Sequence, residues 1–388
     1  MARNPRPLER IHPAAGARRP LALVLALGLA SGCGSDGGPG AEPATEPSAG
    51  SPAPSSGGAP SVTLTSLDVG TSALLQAVSA PSPRVVWLSG HEGTWVRSTD
   101  GGGSWETGIV PGLDTLQFRD VHAFDADTAL LLSAGTGPLS RIVRTTDGGA
   151  TWSEVFLMDH PEGFLDCMDF WDRERGLAWG DSVDGELYIL TTADGGRSWR
   201  RIDPTRLPAA LDGEGGFAAS GTCVATEGPS RAWIATGNGT SPRLLRTEDG
   251  GATWSVRPLP LAEGPARGAT TVGFRPDGMG FALGGDLDPE GGGARVALSA
   301  DRGASWSAVG DLVLTGAVYG AAWVPDREPA TVVAVGPGGI DVSGDGGMSW
   351  SAVDTLSHWA VGFASQDLGW AVGPGGRVTE IRLPRNPP

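Results

Sequence analysis

Six aspartates each stand five residues ahead of a tryptophan: Asp100 and Trp105, Asp147 and Trp152, Asp194 and Trp199, Asp249 and Trp254, Asp301 and Trp306, Asp345 and Trp350. Carboxylates repeated in this way could ligate a cation or serve as general acids. Their neighbours point elsewhere. The segments read STDGGGSW, TTDGGATW, TADGGRSW, TEDGGATW, SADRGASW and SGDGGMSW. Asp-Gly and Gly-Gly suit a tight hairpin turn that needs positive φ. A carboxylate at that place accepts hydrogen bonds from turn amides that would otherwise lack partners. The Trp can enter the space between neighbouring sheets and bury its large aromatic surface. These twelve residues are therefore assigned to structure and not to catalysis or metal binding.

A second set of polar residues is the better candidate for recognition. His91, Asp181, Asn238 and Asp286 each follow a short apolar strand ending in Gly, and Arg119, Asp166, Glu214 and Arg267 fall near the links that precede the next strand pair. They are read as a ligand- or partner-binding group, with no catalytic residue, metal or cofactor assigned. Sialidase chemistry would need an arginine cluster and a tyrosine nucleophile. Only Tyr188 and Tyr319 are present, and Phe274-Arg275-Pro276 lacks the isoleucine of an Arg-Ile-Pro segment. Another glycoside hydrolase remains the alternative, because its carboxylates need a spatial separation of ~5 to 9.5 Å that spacing in sequence does not reveal. An oxidoreductase finds less support: no strand leads through GxGxxG into a helix, there is no CxxC, and five scattered histidines give no metal spacing.

The elements that must position these groups repeat with the Asp-to-Trp segments. Successive tryptophans lie 47, 47, 55, 52 and 44 residues apart, close to the length of a four-stranded propeller blade. Upstream of each segment runs an apolar strand ending in Gly: VVWLSG (85–90), TALLLSAG (128–135), GLAWG (176–180), RAWIATG (231–237), GFALGG (280–285) and TVVAVGPGG (331–339). A seventh, GWAVGPGG (369–376), has no Asp-to-Trp segment after it. Further strands are expected before them at 119–124, 166–171, 221–225, 271–274, 318–323 and 359–363. Seven strand pairs with six segments imply an all-β, seven-bladed propeller of four-stranded blades. The last blade runs out of chain after 377–383, and 62–68 (VTLTSLD) can supply its outer strand, closing the ring without open edges. If strands run up and down in order, the Asp turns share one face and the eight candidate residues share the other.

Composition sets the surroundings. All 28 basic residues are Arg; five of them and one Glu precede Cys33, leaving 23 basic and 43 acidic residues and a net charge near −20. Such a field repels phosphate backbones, so nucleic acid is not an expected partner. Residues 1–33 read as an Arg-rich stretch, the apolar run Leu21 to Ala30, and Ala30-Ser31-Gly32-Cys33. Ten apolar residues fall short of the roughly 20 that span a bilayer, so this is read as a removable signal, with the small residues before Cys33 resembling a bacterial lipobox. Residues 34–60 hold no Val, Ile, Leu or aromatic residue and read as a flexible tether reaching about 30 Å. The folded domain is placed at 61–385. Cys167 and Cys223 suit either a disulfide in an oxidising compartment or two buried thiols.

The six segments resemble the Asp-box (BNR) repeat, and the arrangement over 61–385 is similar to the photosystem II stability and assembly factor family of seven-bladed propellers. FRDVHAFD (118–125), FLDCMDFWD (164–172) and GEGGFAASGTC (213–223) resemble a bacterial subgroup of that family often labelled oxidoreductase. The resemblance implies a non-catalytic binding or assembly module. Together these readings give an exported, lipid-anchored monomer at the bacterial cell envelope, touching the membrane through its anchor alone and binding protein partners with the face opposite the Asp turns.

Overall fold

The computed structural model describes residues 62–288 and 291–384. The signal segment with Cys33 and the tether of 34–60 lie outside the described residues. Seven antiparallel four-stranded sheets make a seven-bladed β-propeller. Blade 1 runs Leu75–Ser82, Val85–Gly90, Thr94–Ser98 and Glu106–Ile109, from the inside outward. The innermost strands of blades 2 to 7 are Phe118–Ala123, Leu165–Phe170, Val224–Glu227, Arg267–Phe274, Gly320–Trp323 and Ala360–Phe363. Four of them, in blades 2, 3, 6 and 7, lie within one or two residues of their expected places. Blade 5's begins four residues earlier than expected. Blade 4's begins three residues late, because the chain just ahead of it is turned aside by Gly221, at φ +72, and takes up the position described below.

The ring closes as the strand count requires. Thr63–Leu67 pairs antiparallel with Val378–Arg382, in register from Thr63 opposite Arg382 to Leu67 opposite Val378. Blade 7 is thus built from both ends of the propeller.

Seven apolar clusters fill the seven spaces between blades. Trp105, Trp152, Trp199, Trp254, Trp306 and Trp350 each enter the space between their own blade and the one before it. The seventh space, between blades 6 and 7, receives no such tryptophan; Val62, Leu64, Ile381 and Leu383 pack there against Val333, Val335 and Val361. The closing strand therefore fills a role that a wedge tryptophan plays elsewhere. Hydrogen bonds from indole Nε1 atoms add ties across blades, from Trp87 to the Asp125 carbonyl, Trp171 to that of Arg231 and Trp233 to that of Arg302.

Each Asp turn is wired alike. In the turn of blade 6, Asp345 Oδ1 accepts the Ser349 amide at 2.9 Å and Oδ2 the Ser349 hydroxyl at 2.5 Å, while the Ser343 hydroxyl donates to Oδ1 and accepts from Gly347 N. The carboxylates of Asp100 and Asp301 are pulled down to about 2, first by the hydroxyls of Ser104 and Ser305. A carboxylate so fully engaged with its own turn is a poor proton donor. Replacing Asp345 by Ala is expected to lower the unfolding free energy by about 1–2 kcal/mol, the worth of a small set of partly solvated charge-assisted hydrogen bonds. Urea melts that overlay those of the parent protein would remove the staple role.

Cys167, on the inner strand of blade 3, and Cys223, one residue ahead of the inner strand of blade 4, are joined as a disulfide with Cα atoms 5.9 Å apart.

Candidate functional site

The face opposite the Asp turns is formed by the loops between second and third strands and by the links between blades. At its centre the channel is occupied by the chain itself. Residues 214–220 are buried without interruption, which is unusual for a loop, since its backbone polar groups must find partners away from water. They find them on four blades. Gly215 and Gly237 exchange backbone hydrogen bonds, the Ala218 carbonyl accepts from Arg119 Nη1 at 3.4 Å, and the Ser220 hydroxyl donates to the Tyr319 carbonyl at 2.7 Å. Gly216 is pressed so closely into blade 3 that a Cβ would fall 2.6 Å from Asp166 Oδ2 and 2.7 Å from Trp179 Nε1. This segment is the plug of the channel.

Four of the eight expected residues form one continuous group around the plug. Asp166, 1% exposed, and Asp181 meet carboxyl to carboxyl. Asp181 Oδ1 accepts the Gly216 amide at 2.9 Å, while Asp166 Oδ2 is buried beside Gly216 with no hydrogen-bond donor among the described residues. Burial raises both acids, Asp181 to about 6 and Asp166 well above the usual carboxylate range, with the Asp181 charge adding to the latter. Arg119 donates from Nε to Gln117 Oε1 at 3.0 Å; burial lowers its pKa and the charge of Asp166 opposes this. His91 completes the group. Burial, then Arg119, lowers it to about 4, so at neutral pH it is uncharged and its Nε2–H donates to Gln76 Oε1.

The other four brace the surroundings. Buried Glu214 accepts from both sides of the Arg243 guanidinium, from Leu211 N at 2.9 Å and from the Thr236 hydroxyl at 3.0 Å. Asn238, at φ +62, donates Nδ2–H to the Gly216 carbonyl and accepts from Ala266 N. Arg267 pairs with Asp286 at 2.6 Å on blade 5, away from the acid pair. With their hydrogen-bonding capacity used internally, Glu214, Asn238 and Asp286 act as struts.

Beside the plug lies a depression of about 140 Å³ lined by Arg119, Phe217, Leu287, Tyr319 and Trp359. The rings of Tyr319 and Trp359 stand 4.6 Å apart, centre to centre. These aromatics are not among the eight polar candidates. The signal that finds them is positional: each is the residue immediately before an inner strand, Tyr319 before Gly320 and Trp359 before Ala360.

Single exposed apolar side chains are distributed unevenly between the two faces. Among the described residues the exposed large hydrophobics are Ile109, Leu139, Leu157, Val313, Met348 and Leu356. Ile109 and Leu157 end outer strands, Leu139 lies between second and third strands, and Val313 and Leu356 lie in links between blades, so five of the six share the plug's face and only Met348 sits in an Asp turn. Val313 is not loosely exposed, since its amide and that of Leu314 are both held by Asp341 Oδ2. Among the described residues no group of three or more His, Cys, Asp or Glu is gathered as a metal site.

No protein-family model matches the chain, and no curated protein does. Solved structures do. One described as "YCF48 bound to D1 peptide" is 20% identical, with a TM-score of 0.57 over 82% of this chain and 96% of that one. "YCF48 from Cyanidioschyzon merolae" is 18% identical, with a TM-score of 0.59 over 82% and 98%. "Structure of U3-55K" is 11% identical, with a TM-score of 0.57 over 82% and 98%. At these identities the likeness is one of fold.

Proposed function

We propose that the chain is a protein-binding, assembly-helper propeller that holds its partner on the face opposite the Asp turns. The observation that carries this reading is the asymmetry of exposed apolar side chains. Large hydrophobics in water favour burial against a partner, and here five of six stand around one face, with an aromatic depression at its centre. The fold neighbour described as bound to a D1 peptide supports a peptide or protein ligand. On this reading the chain is an Asp-box propeller of the assembly-factor kind. It is exported, cut before Cys33 and lipidated there, and residues 34–60 hold a monomeric head off the envelope membrane.

The rim provides the test. Cross-linking in intact cells followed by affinity capture from solubilised membranes is expected to recover a defined set of proteins. Leu139→Glu combined with Leu157→Glu should reduce that recovery at least about tenfold, the effect of losing roughly 1.4 kcal/mol of binding, with melting unchanged because both side chains are solvent-exposed. Met348→Glu, on the opposite face, should capture as the parent does. Equal recovery with the rim variant would place the partner elsewhere.

A further inference from the structure

A cation taken partly out of water is normally paired with an acid, because the cost of desolvating it is otherwise left unmet. Arg119 departs from that rule. It stands half-buried on the inner strand of blade 2, and its hydrogen bonds go to neutral oxygens: Nε and Nη2 donate to Gln117 Oε1, and Nη1 to the Ala218 carbonyl. Among the described residues no acid lies within ion-pair distance of it; Asp166 acts on it from further away, and burial favours the uncharged form of that acid. Gln117 and Ala218 use three of the guanidinium's N–H groups and fix its orientation, which leaves a pair of donors to spare. The depression of about 140 Å³ beside it is walled by Phe217 from the plug, Leu287 from blade 5, and Tyr319 and Trp359 from the links ahead of blades 6 and 7. Both aromatics sit on fixed backbone. Tyr319 N donates to the Val335 carbonyl and the Tyr319 carbonyl accepts the Ser220 hydroxyl, while Trp359 N donates to the Val372 carbonyl. Cation and aromatic slot are thus preformed side by side.

We propose that Arg119 and this slot form a subsite for a peptide carboxylate that has an apolar side chain beside it. The carboxylate takes the spare N–H donors of the guanidinium, whose planar fork matches two oxygens, and the neighbouring side chain enters between Leu287, Tyr319 and Trp359. The room suits one side chain, since an apolar cavity of roughly 150 Å³ admits benzene. The surroundings set the ligand class. A phosphate or sulfate has no apolar body to set against Phe217, Leu287, Tyr319 and Trp359, and a ligand of several acids is repelled by the net charge near −20 around the site. A single carboxylate joined to an apolar group satisfies the cation and the walls together. A chain end supplies it as the terminal carboxylate and an internal Asp or Glu as a side chain; at Arg119 the chemistry is the same.

The inference rests on the plug's face being the binding face, but its test uses peptides of known sequence. Isothermal titration of the parent protein is run with acetyl-Gly-Ser-Ala-Phe ending in a free carboxylate, with the same peptide ending in an amide, and with the amidated peptides acetyl-Gly-Glu-Phe-Ala and acetyl-Gly-Gln-Phe-Ala. An affinity at least about tenfold higher for the free acid than for its amide supports the subsite and assigns the carboxylate to a chain end; the same margin for the Glu over the Gln peptide supports it and assigns a side chain. Arg119→Gln should erase that margin, so that acid and neutral peptides bind it equally weakly. Trp359→Leu should weaken acid and neutral peptides by the same factor and keep the margin, because it removes wall and not charge. If Arg119→Gln melts early, Arg119→Lys keeps the charge, loses the fork and is expected to narrow the margin. Equal affinity of the parent for acid and neutral peptides, or no binding by any of them at about millimolar concentration, overturns the subsite. Acid-dependent peptide binding together with partner capture that ignores the Leu139 and Leu157 changes would leave the subsite standing and the outer contacts misplaced.

Discussion

A chain lacking residues 61–70 should melt about 10–20 °C below the parent protein or lose its cooperative transition altogether. The deletion takes away the outer strand of blade 7, whose five register pairs run from Thr63 opposite Arg382 to Leu67 opposite Val378. It also removes Val62 and Leu64 from the space between blades 6 and 7, and Leu67 and buried Val69 from the space between blades 7 and 1. Three half-buried apolar side chains, one buried valine and a ladder of backbone hydrogen bonds together amount to about 5–8 kcal/mol. That is comparable with the whole stability of many domains, and at roughly 2–3 °C per kcal/mol for a chain of this size it gives the stated fall. A thermal scan followed by circular dichroism reads it. The control is a permuted chain in which 61–70 follow Pro384 through a short turn. Since the lost strand is antiparallel to Val378–Arg382, the added hairpin should restore the parent's melting temperature. A deletion that melts normally would mean that the ring does not depend on its closing strand.

Removing the disulfide should cost about 4 kcal/mol. Cys167 and Cys223 are 56 residues apart in sequence, and cross-linking a loop of that size lowers the entropy of the unfolded chain by an amount corresponding to about 4 kcal/mol. The loop holds the outer part of blade 3, its Asp turn and the plug, so all of that chain is tied down by one bond between neighbouring blades. Urea unfolding of Cys167→Ser combined with Cys223→Ser, set against the parent with and without reductant, measures the difference. Reduction of the parent must also add the mass of two hydrogens. An oxidised parent no more stable than the double variant would show that the bond constrains nothing.

The blades were legible because their signals are local. Asp, Gly, Ser or Thr, and Trp within eight residues make each turn, and the Gly-ended apolar strands recur without help from distant chain. Counting seven strand pairs against six turns was enough to place Val62 to Asp68 in the last blade. The plug was not legible. Its stretch GEGGFAASGTC has no strand period, and its burial comes from Arg119, Asp166, Asp181 and Tyr319, contributed by three other blades. Tyr319 and Trp359 were hidden by a shift of one or two residues. With strands expected to start at 318 and 359 the two rings do not align, and they do so only when the strands begin at Gly320 and Ala360. The polar candidates were found on their shared face, but sequence could not separate Glu214, which spends its carboxylate on Arg243, from Asp166, which faces another acid.

Ring closure also orders events in time. Of the described strands Thr63–Leu67 leaves the ribosome first, yet the edge with which it pairs, Val378–Arg382, is made last. Six blades can assemble from contacts within neighbouring stretches, while the final pairing joins the most distant parts of the domain, the kind of contact that forms slowly. During that interval Val378–Arg382 and the apolar space between blades 6 and 7 lie open to any passing β-edge. The molecule is most vulnerable to misassembly when it is nearly complete, and a holding factor would be of most use at that moment.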